Sequence, residues 1–353
     1  MVRFSEIINI KDDIEKDAGT SVTNEREDQL WLSGSQIIRK AGEDVVTEIP
    51  HTSIRDHVSL EAVKYFEKLI DGAQELRDRV LNDQGISPSP ILADLHYVID
   101  NALVDEINEF AMSSPDTYDW MLLHTVRVTI ASIKIGKGMG YDTKGLLELG
   151  LAAFMENVGM YKIPDFIQNK KEKLKPEEIS IIKQHPKIGF QILSKLGGRY
   201  GWLSEVALQV HERADGSGYP RGLKGGEILE LASIIGLVDT YIAMTEEKPY
   251  REKYLQSHAV NFIIKETKHL FPPKILKIFL NQISLFPVNS YVRLNNQSIG
   301  RVLSTNENQP LRPNVEILYD GLSNKLVERE VIRLADNPLL YITESIDQKE
   351  LPL

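Results

Sequence analysis

Apolar residues recur at intervals of three and four along most of the chain, a spacing that predicts α-helices. Between positions 91 and 286 no convincing alternation of apolar and polar residues interrupts this pattern. The predicted helices cover residues 60–82, 92–112, 116–139, 143–157, 176–196, 203–212, 228–245 and 255–285. The middle of the chain is therefore predicted to be a bundle of helices.

Residues at the predicted helix ends agree with these boundaries. Asp116 and Thr143 have side chains that can cap the first turn of a helix, and Pro176 and Pro186 are tolerated in a first turn. The Gly-Gly pair at 197–198 is typical of the end of a helix. These residues at helix starts and ends thus favour several separate helices joined by short turns.

The helical region is bounded on both sides by a change in pattern. Residues 82–90, NDQGISPSP, concentrate turn formers and prolines, so we interpret them as a linker. After position 286, short β-forming runs alternate with Asn, Gly, Asp and Pro. The sequence thus predicts a mainly α chain with an N-terminal regulatory-type domain of unknown fold (1–85), a helical domain (91–286) and a small β-rich C-terminal domain (287–353).

Composition and charge narrow the class of protein. The 353 residues are 42% hydrophobic and 26% charged, which is typical of soluble globular proteins. The formal net charge of −10 disfavours bulk nucleic acid as a partner, although a small phosphate ligand needs only a local basic patch. No run is long and apolar enough to span a bilayer, and the N-terminus lacks the apolar core of a signal peptide, so we expect a cytoplasmic protein.

Any metal site must use histidine, carboxylate or amide ligands, because the chain contains no cysteine. Candidate ligands lie on several separate predicted helices or helix ends. They are His124, Glu156 with Asn157, His185, His211 and Asp239. Asp239 follows the apolar run LASIIGLV, where an unpaired carboxylate is costly to bury. Taken singly, each of these residues also has an ordinary interpretation as a satisfied core or surface group.

Residues 211–225, HERADGSGYPRGLKG, form the most informative loop. Its glycines permit tight turns and a close approach of the backbone to a ligand. Its three basic residues offer cations for a phosphate, and Tyr219 offers a ring for stacking on a base. These features favour a nucleotide ligand, and a rigid structural turn is the alternative interpretation.

The segment from 211 to 228, HERADGSGYPRGLKGGEI, resembles the signature HHExxDGxGYPxGLxGxxI of the HD-GYP family of cyclic di-GMP phosphodiesterases. Further similar segments are LHTVRV at 123–128, KLKPEEISIIKQHPKIGFQIL at 173–193 and VDTYIAMTEEKPYRE at 238–252. The resemblance covers about half of the chain. It implies an HD-superfamily helical bundle in a bacterial signalling protein.

In the HD-GYP family the bundle holds two or three metal ions, usually iron or manganese, which activate a hydroxide for attack on a phosphodiester. The resemblance places His124, His185, His211 and Asp239 at positions of metal ligands. The family's HDIGK, which carries the His-Asp pair and a catalytic lysine, reads ENVGM here. The implied cofactor is therefore iron or manganese, as one ion or two, with loss of metal binding as the alternative.

The departures from the family pattern argue against efficient catalysis. Asn157 replaces an aspartate that bridges two cations, and Met160 replaces the lysine, so it cannot stabilise a phosphate or a leaving group. Three more polar positions of the family are lost, at Val210, Ile242 and Trp120. We therefore assign no residue a catalytic role and expect hydrolysis to be lost or weak.

The residues that face the ligand in the family are better retained. Residues 248–251, KPYR, resemble the family's phosphate-contacting RPYR or RPYK segment. The residues predicted to bind the ligand are Arg213, Asp215, Gly216, Gly218, Tyr219, Lys248 and Arg251. The pattern predicts that a cyclic dinucleotide is bound more readily than it is hydrolysed.

Three hypotheses remain open. The first is a signalling module that binds cyclic di-GMP or a diguanylate-cyclase-type protein partner without efficient hydrolysis. The second is an active phosphodiesterase with an atypical metal centre, in which Glu156 replaces a histidine. The third is a non-catalytic interaction scaffold that keeps the loop for folding. Homodimerisation through helices is a further expectation.

Overall fold

The structure is a computed structural model that describes residues 58–113, 118–246, 254–306, 309 and 311–352. The described residues form a mainly helical fold followed by a small antiparallel sheet, as the sequence predicts. Most of the predicted N-terminal domain lies outside them, and so do Asp116, Lys248 and Arg251. Interpretations of these positions stay predictions.

The helices bury their apolar faces against one another. In chain order they are α1 (Leu60–Leu81), α2 (Ser89–Asp100), α3 (Val104–Ser113), α4 (Trp120–Met139), α5 (Thr143–Met155), α6 (Asp165–Gln168), α7 (Pro176–Ile182), α8 (His185–Leu193), α9 (Trp202–Gln209), α10 (Glu230–Thr245), α11 (Gln256–Phe262) and α12 (Pro273–Gln282). One hydrophobic core joins them to the inner face of the sheet. Burying a large apolar side chain contributes roughly 1.5–3 kcal/mol, so this core stabilises the bundle more than helix propensity does.

α1 is part of this core. Its buried residues recur every three or four positions and include Phe66 and Leu69. The ring of Tyr65 stacks on that of Tyr97 at a centroid distance of 4.2 Å, which joins α1 to α2. The helix predicted at 60–82 is confirmed. It packs within the helical bundle, however, whereas the predicted boundary at 85 assigned it to a separate N-terminal domain.

α4 runs through the middle of the bundle, and its residues from Met121 to Ile133 are all buried. Its N-cap is Asp119, whose carboxylate accepts a hydrogen bond from the backbone N–H of Met121 at 3.0 Å. Asp142 caps α5, because its carboxylate accepts from the third helical N–H, so the prediction of Thr143 as the cap is wrong by one residue. Among the described helices, α4 included, none is both long and apolar enough to cross a membrane.

Three predicted helices are interrupted in the structure. The helix predicted at 92–112 breaks where Ala102 takes a left-handed conformation with φ +56°. The helix predicted at 176–196 breaks at Lys183 and Gln184, and the one predicted at 255–285 is broken at Pro272. Apolar spacing continues on both sides of each break, so spacing alone does not reveal them.

The described chain ends in a five-stranded antiparallel sheet. Its strands are β1 (Tyr291–Leu294), β2 (Ile299–Ser304), β3 (Asn314–Tyr319), β4 (Val331–Arg333) and β5 (Ile342–Ile346), in the order β4-β3-β2-β1-β5. Buried residues of the strands, such as Val292, Leu294 and Val315, belong to the core shared with the helices. The β-rich C-terminal part is thus confirmed. The sequence does not reveal β5, because ITESI is a short edge strand with three polar residues in its middle.

A close backbone contact positions α8 against the 3-10 helix Val158–Lys162. A Cβ atom on Gly159 would lie 2.0 Å from the carbonyl oxygen of His185 and 2.6 Å from the backbone nitrogen of Gly189. Backbone atoms cannot yield as the end of a flexible side chain can. Glycine is therefore required at position 159, and its contact fixes where His185 lies relative to the end of α5.

Gly159→Ala is expected to lower the free energy of unfolding by about 3 kcal/mol, the upper end of the usual cost of overpacking. Urea unfolding followed by far-UV circular dichroism measures the loss. Gly226→Ala is the matched control, because a Cβ atom there meets nothing within 4 Å. Equal, small losses in the two variants would contradict the close packing of α8.

Candidate metal centre

Asp239 lies near the middle of α10, a helix that is apolar on most sides. α10 packs closely on the end of α9, where a Cβ atom on Gly236 would lie 2.3 Å from the carbonyl oxygen of Val210. The side chain of Asp239 is consequently only 13% exposed. A carboxylate in this position requires cationic or hydrogen-bonding partners from neighbouring elements.

His124, on α4, is one of these partners. Its Nε2 lies 3.1 Å from Oδ1 of Asp239, and its Nδ1 lies 2.8 Å from Oε2 of Glu246. Burial alone would raise the pKa of Asp239, but the hydrogen bond from His124 and the nearby charge of Arg213 outweigh it and hold that pKa well below its usual range. Asp239 is therefore ionised at neutral pH.

Glu156 follows α5 directly, and its side chain is buried. Its Oε1 accepts a hydrogen bond from the side-chain amide of Asn157, while Oε2 has no hydrogen-bond partner among the described residues. Burial, reinforced by the charge of Asp239, raises the pKa of Glu156 well above its usual range. A cation between Glu156 and Asp239 would satisfy the unpartnered oxygen and relieve the repulsion.

His185 and His211 approach the same place from α8 and from the loop after α9. Nδ1 of His185 donates to the carbonyl oxygen of Ile182 at 2.8 Å, which leaves the lone pair of its Nε2 facing Nε2 of His211, also at 2.8 Å. Nδ1 of His211 lies 3.8 Å from Oδ2 of Asp239. Burial lowers the pKa of His211 to about 3 and also lowers that of His185. Both imidazoles are thus neutral at pH 7, the form that binds metal ions.

These side chains fit one divalent cation. One ligand atom each from His124, Glu156 and Asp239 lies within 4.8 Å of the others, and the described residues contain no further group of this kind. His185 and His211 add imidazole nitrogens next to Asp239. Imidazole and carboxylate together suit iron or manganese. The structure therefore groups three of the six predicted metal ligands, His124, Glu156 and Asp239. His211 adjoins Asp239, His185 adjoins His211, and Asn157 is bonded to Glu156.

Residues at the positions of the family's other polar groups do not add ligands for a second ion. Asn157 directs its amide nitrogen, a donor, at Glu156. Met160, Val210 and Ile242 are buried apolar side chains. Position 157 thus carries an amide and position 160 an apolar side chain.

Glu212 organises the loop 211–225 and is itself buried. Its Oε1 accepts from the backbone N–H of Arg221 at 2.6 Å, and its Oε2 accepts from that of Leu223 at 2.9 Å. The returning half of the loop is thereby tied to its start. The sequence predictions gave Glu212 no role, although a carboxylate directly before a glycine-rich loop was an available signal.

Two residues predicted to bind the ligand have partners within the protein. Arg213 donates to two backbone carbonyl oxygens at 2.8 and 2.9 Å, and its guanidinium lies over the ring of Phe271. Asp215 accepts from the backbone N–H and the hydroxyl of Ser217, which closes a tight turn. Both side chains serve the loop itself here, whereas the sequence predicted that they contact a ligand.

The predicted glycines shape the loop, and its tyrosine lies beside the metal centre. Gly216 has φ +84°, and a Cβ atom on Gly218 would lie 2.4 Å from backbone atoms at the start of the loop. The ring of Tyr219 stacks on that of His211 at a centroid distance of 4.9 Å. Nζ of Lys183 lies 5.1 Å from the Tyr219 centroid. Lys183, Glu212 and Glu246 are the residues around this site that the sequence predictions missed.

Comparison with known protein families identifies two regions. Residues 113–275 match a family model described as "HD domain", and residues 291–353 match one described as "KOW domain associated with HD domain". The first region contains every residue of the metal centre, and the second contains the five strands. The HD domain family is metal-dependent, in agreement with the donor set found here.

Two curated relatives are cyclic di-GMP phosphodiesterases by name. One, from Pseudomonas aeruginosa, is 28% identical over 242 residues, which cover 66% of this chain and 58% of that protein. The other, PdeB of Borreliella burgdorferi, is 30% identical over 240 residues, which cover 67% of this chain and 62% of that protein. The chain thus spans less than two thirds of the length of either relative.

Among solved structures, the fold is similar to that of an HDG"Y"P protein from Bdellovibrio bacteriovorus, with a TM-score of 0.50 and 17% sequence identity. The match covers 67% of this chain and 73% of that one. At this level of identity the similarity concerns the fold alone. The signature at 211–228, the HD domain match, the named relatives and this fold agree. Residues 113–275 are an HD domain, and the named relatives support the HD-GYP family for this chain.

Proposed function

We propose that this protein is a signalling module that binds cyclic di-GMP at a site with a single metal ion and hydrolyses it poorly or not at all. The named activity of the relatives supports the choice of ligand. The retained loop with Tyr219 beside the metal centre supports a binding role. A diguanylate-cyclase-type partner, homodimerisation and a cytoplasmic location stay predictions from the sequence.

One observation carries this proposal. Where the family has the His-Asp pair, the side chains of Glu156 and Asn157 hydrogen-bond to each other inside the protein. Next along the chain, Met160 is a buried apolar residue where the family has its catalytic lysine. The amide of Asn157 is neutral, so it cannot bridge two cations as a carboxylate does.

Five residues would hold iron or manganese at this site: His124, Glu156, His185, His211 and Asp239. A bound ion of this kind supplies positive charge for a phosphate oxygen and lowers the pKa of bound water. Asp239 stays ionised without it, and the neutral histidines present lone pairs. The chain's own contribution is therefore a nearly preformed set of donors.

An active phosphodiesterase is the second candidate, because His124, Glu156 and Asp239 still form a group that could hold a metal ion, with His211 beside it. A scaffold is the third, because Glu212 and Arg213 satisfy the loop without any ligand. The first proposal is favoured over the second by the loss of the lysine and the bridging carboxylate. It is favoured over the third by the exposed cation at Lys183.

Lys183 is the described residue best placed to contact a phosphate of the ligand. It lies at the break between α7 and α8, two residues before His185, and it is exposed. Its Nζ lies near the Tyr219 ring, and no salt bridge to it occurs among the described residues. A cation at the edge of the metal centre can meet a phosphate while the tyrosine ring meets a base.

The wild-type protein is expected to bind cyclic di-GMP with a micromolar Kd in calorimetric titration with Mn²⁺ present. Turnover to linear product, followed by chromatography, is expected to be at least about a thousandfold below the ~10 s⁻¹ typical of enzymes. The reason is that neither the lysine nor the bridging carboxylate is present.

The matched comparison is a variant with Glu156→His, Asn157→Asp, Met160→Lys and Val210→His, which restores the family pattern and is expected to gain turnover. Ordinary turnover by the wild type would establish the active phosphodiesterase instead. If the wild type does not bind cyclic di-GMP, the non-catalytic interaction scaffold is the hypothesis that remains.

Lys183→Gln is expected to weaken cyclic di-GMP binding by roughly 1.5 kcal/mol, or about tenfold in Kd, because it removes a charge-assisted phosphate contact. Calorimetric titration at fixed ionic strength measures the change. Lys173→Gln, in the exposed connection between α6 and α7, removes the same charge and is expected to leave the Kd unchanged. Equal Kd values for the two variants would exclude Lys183 from the binding site.

A further inference from the structure

A buried ion pair adjoins the metal centre without belonging to its ligand set. Glu246 is the first residue after α10, and its side chain is 5% exposed. Its Oε1 accepts from the guanidinium of Arg127 at 3.2 Å, and its Oε2 faces Nδ1 of His124 at 2.8 Å. Both carboxylate oxygens are thus engaged inside the protein, by two different residues of α4.

The carboxylate of Glu246 is held from several sides. Arg127 is itself buried, and its Nε donates to the carbonyl oxygen of Ala111 at 2.9 Å, near the end of α3. The backbone N–H of Glu246 donates to the carbonyl oxygen of Ile242 at 3.1 Å, which continues the turn of α10. Arg127 thus fixes the direction in which Glu246 presents its other oxygen to His124.

Both ring nitrogens of His124 face carboxylates, Nδ1 that of Glu246 and Nε2 that of Asp239. A metal ion beside Asp239 can be bound only by Nε2, which must then give up its hydrogen, so Glu246 is the acceptor that keeps the remaining hydrogen on Nδ1. An imidazole binds a metal ion through one nitrogen only. A carboxylate on the other nitrogen orients the ring and makes it a stronger donor.

We propose that Glu246 is a positioning residue that fixes His124, through Nδ1, in the orientation and tautomer required for metal binding through Nε2. Glu246 touches neither the ion nor the ligand in this role. The inference rests on the proposed metal binding and adds a residue that the family signature does not indicate. Arg127 lies on α4 and contacts both the end of α3 and Glu246, so it connects these two helices to the metal centre.

The geometry distinguishes this role from that of an ordinary buried ion pair. A glutamate that serves only to neutralise an arginine commonly takes a bidentate arrangement, with both oxygens on the guanidinium. Here one oxygen is directed at His124, at a distance shorter than that to Arg127. The stronger contact is therefore the one with the metal ligand.

Glu246→Gln is expected to weaken Mn²⁺ binding by about 10- to 100-fold, the usual effect of removing an outer-shell partner of a metal ligand. Calorimetric titration of the full chain with Mn²⁺, without nucleotide, measures the Kd directly. Glu316→Gln is the matched control, because Glu316 is an equally buried carboxylate paired with Arg301 at 2.9 Å, in the sheet. We expect its Mn²⁺ affinity to equal that of the wild type.

Glu246→Asp separates positioning from charge. It keeps the negative charge near Arg127 but moves the carboxylate away from Nδ1 of His124. If Glu246 acts by positioning His124, the Mn²⁺ affinity of this variant falls by at least ~5-fold. Wild-type affinity in either folded variant overturns the inference and leaves the proposed function intact. Failure of the wild type itself to bind Mn²⁺ overturns the proposed function and this inference together.

Discussion

The buried carboxylate of Asp239 is the constraint on which the centre of this protein depends. α10 is apolar around it, so the charge must be balanced by groups from other elements. His124 on α4 and His211 after α9 provide imidazole nitrogens, while Glu156 brings a second buried carboxyl group, whose pKa burial raises well above its usual range. Two buried acids thus lie close together, one with a raised pKa and one with a lowered pKa. A divalent cation between them would stabilise both as carboxylates, and this is why the arrangement fits a metal site.

The architecture could be predicted from the sequence where burial imposes a period. α4 and α10 are apolar nearly throughout, and such runs are longer than a strand, so their existence and approximate extent follow from the length of the run. The break at Ala102 was not predictable, because its left-handed conformation interrupts no apolar repeat. β5 is short, largely polar and at a sheet edge, and therefore resembles a loop in the sequence. The membership of α1 in the central core also depends on tertiary packing that no local pattern encodes.

The candidate metal ligands could be named because each lies in a recognisable motif, and the structure groups three of them, with His211 and His185 adjoining. The residues that hydrogen-bond to those ligands could not be predicted. Glu246 lies 122 residues from His124 in a run of charges that resembles an exposed surface. Arg213 is a similar case, because a basic residue beside a glycine-rich loop suggests a phosphate contact, while its hydrogen bonds to backbone carbonyls cannot be predicted from the sequence. In both cases the deciding contact is remote in sequence or made by the backbone.

The central claim is that one divalent ion is held at Asp239, and metal content tests it most directly. Protein purified under low oxygen with iron and manganese supplied would be analysed by elemental mass spectrometry, beside Asp239→Asn prepared in the same way. The account predicts close to one ion per wild-type chain and almost none in the variant, because the substitution replaces a carboxylate ligand with a neutral amide. Two ions per chain, or equal metal content in the two proteins, would contradict it.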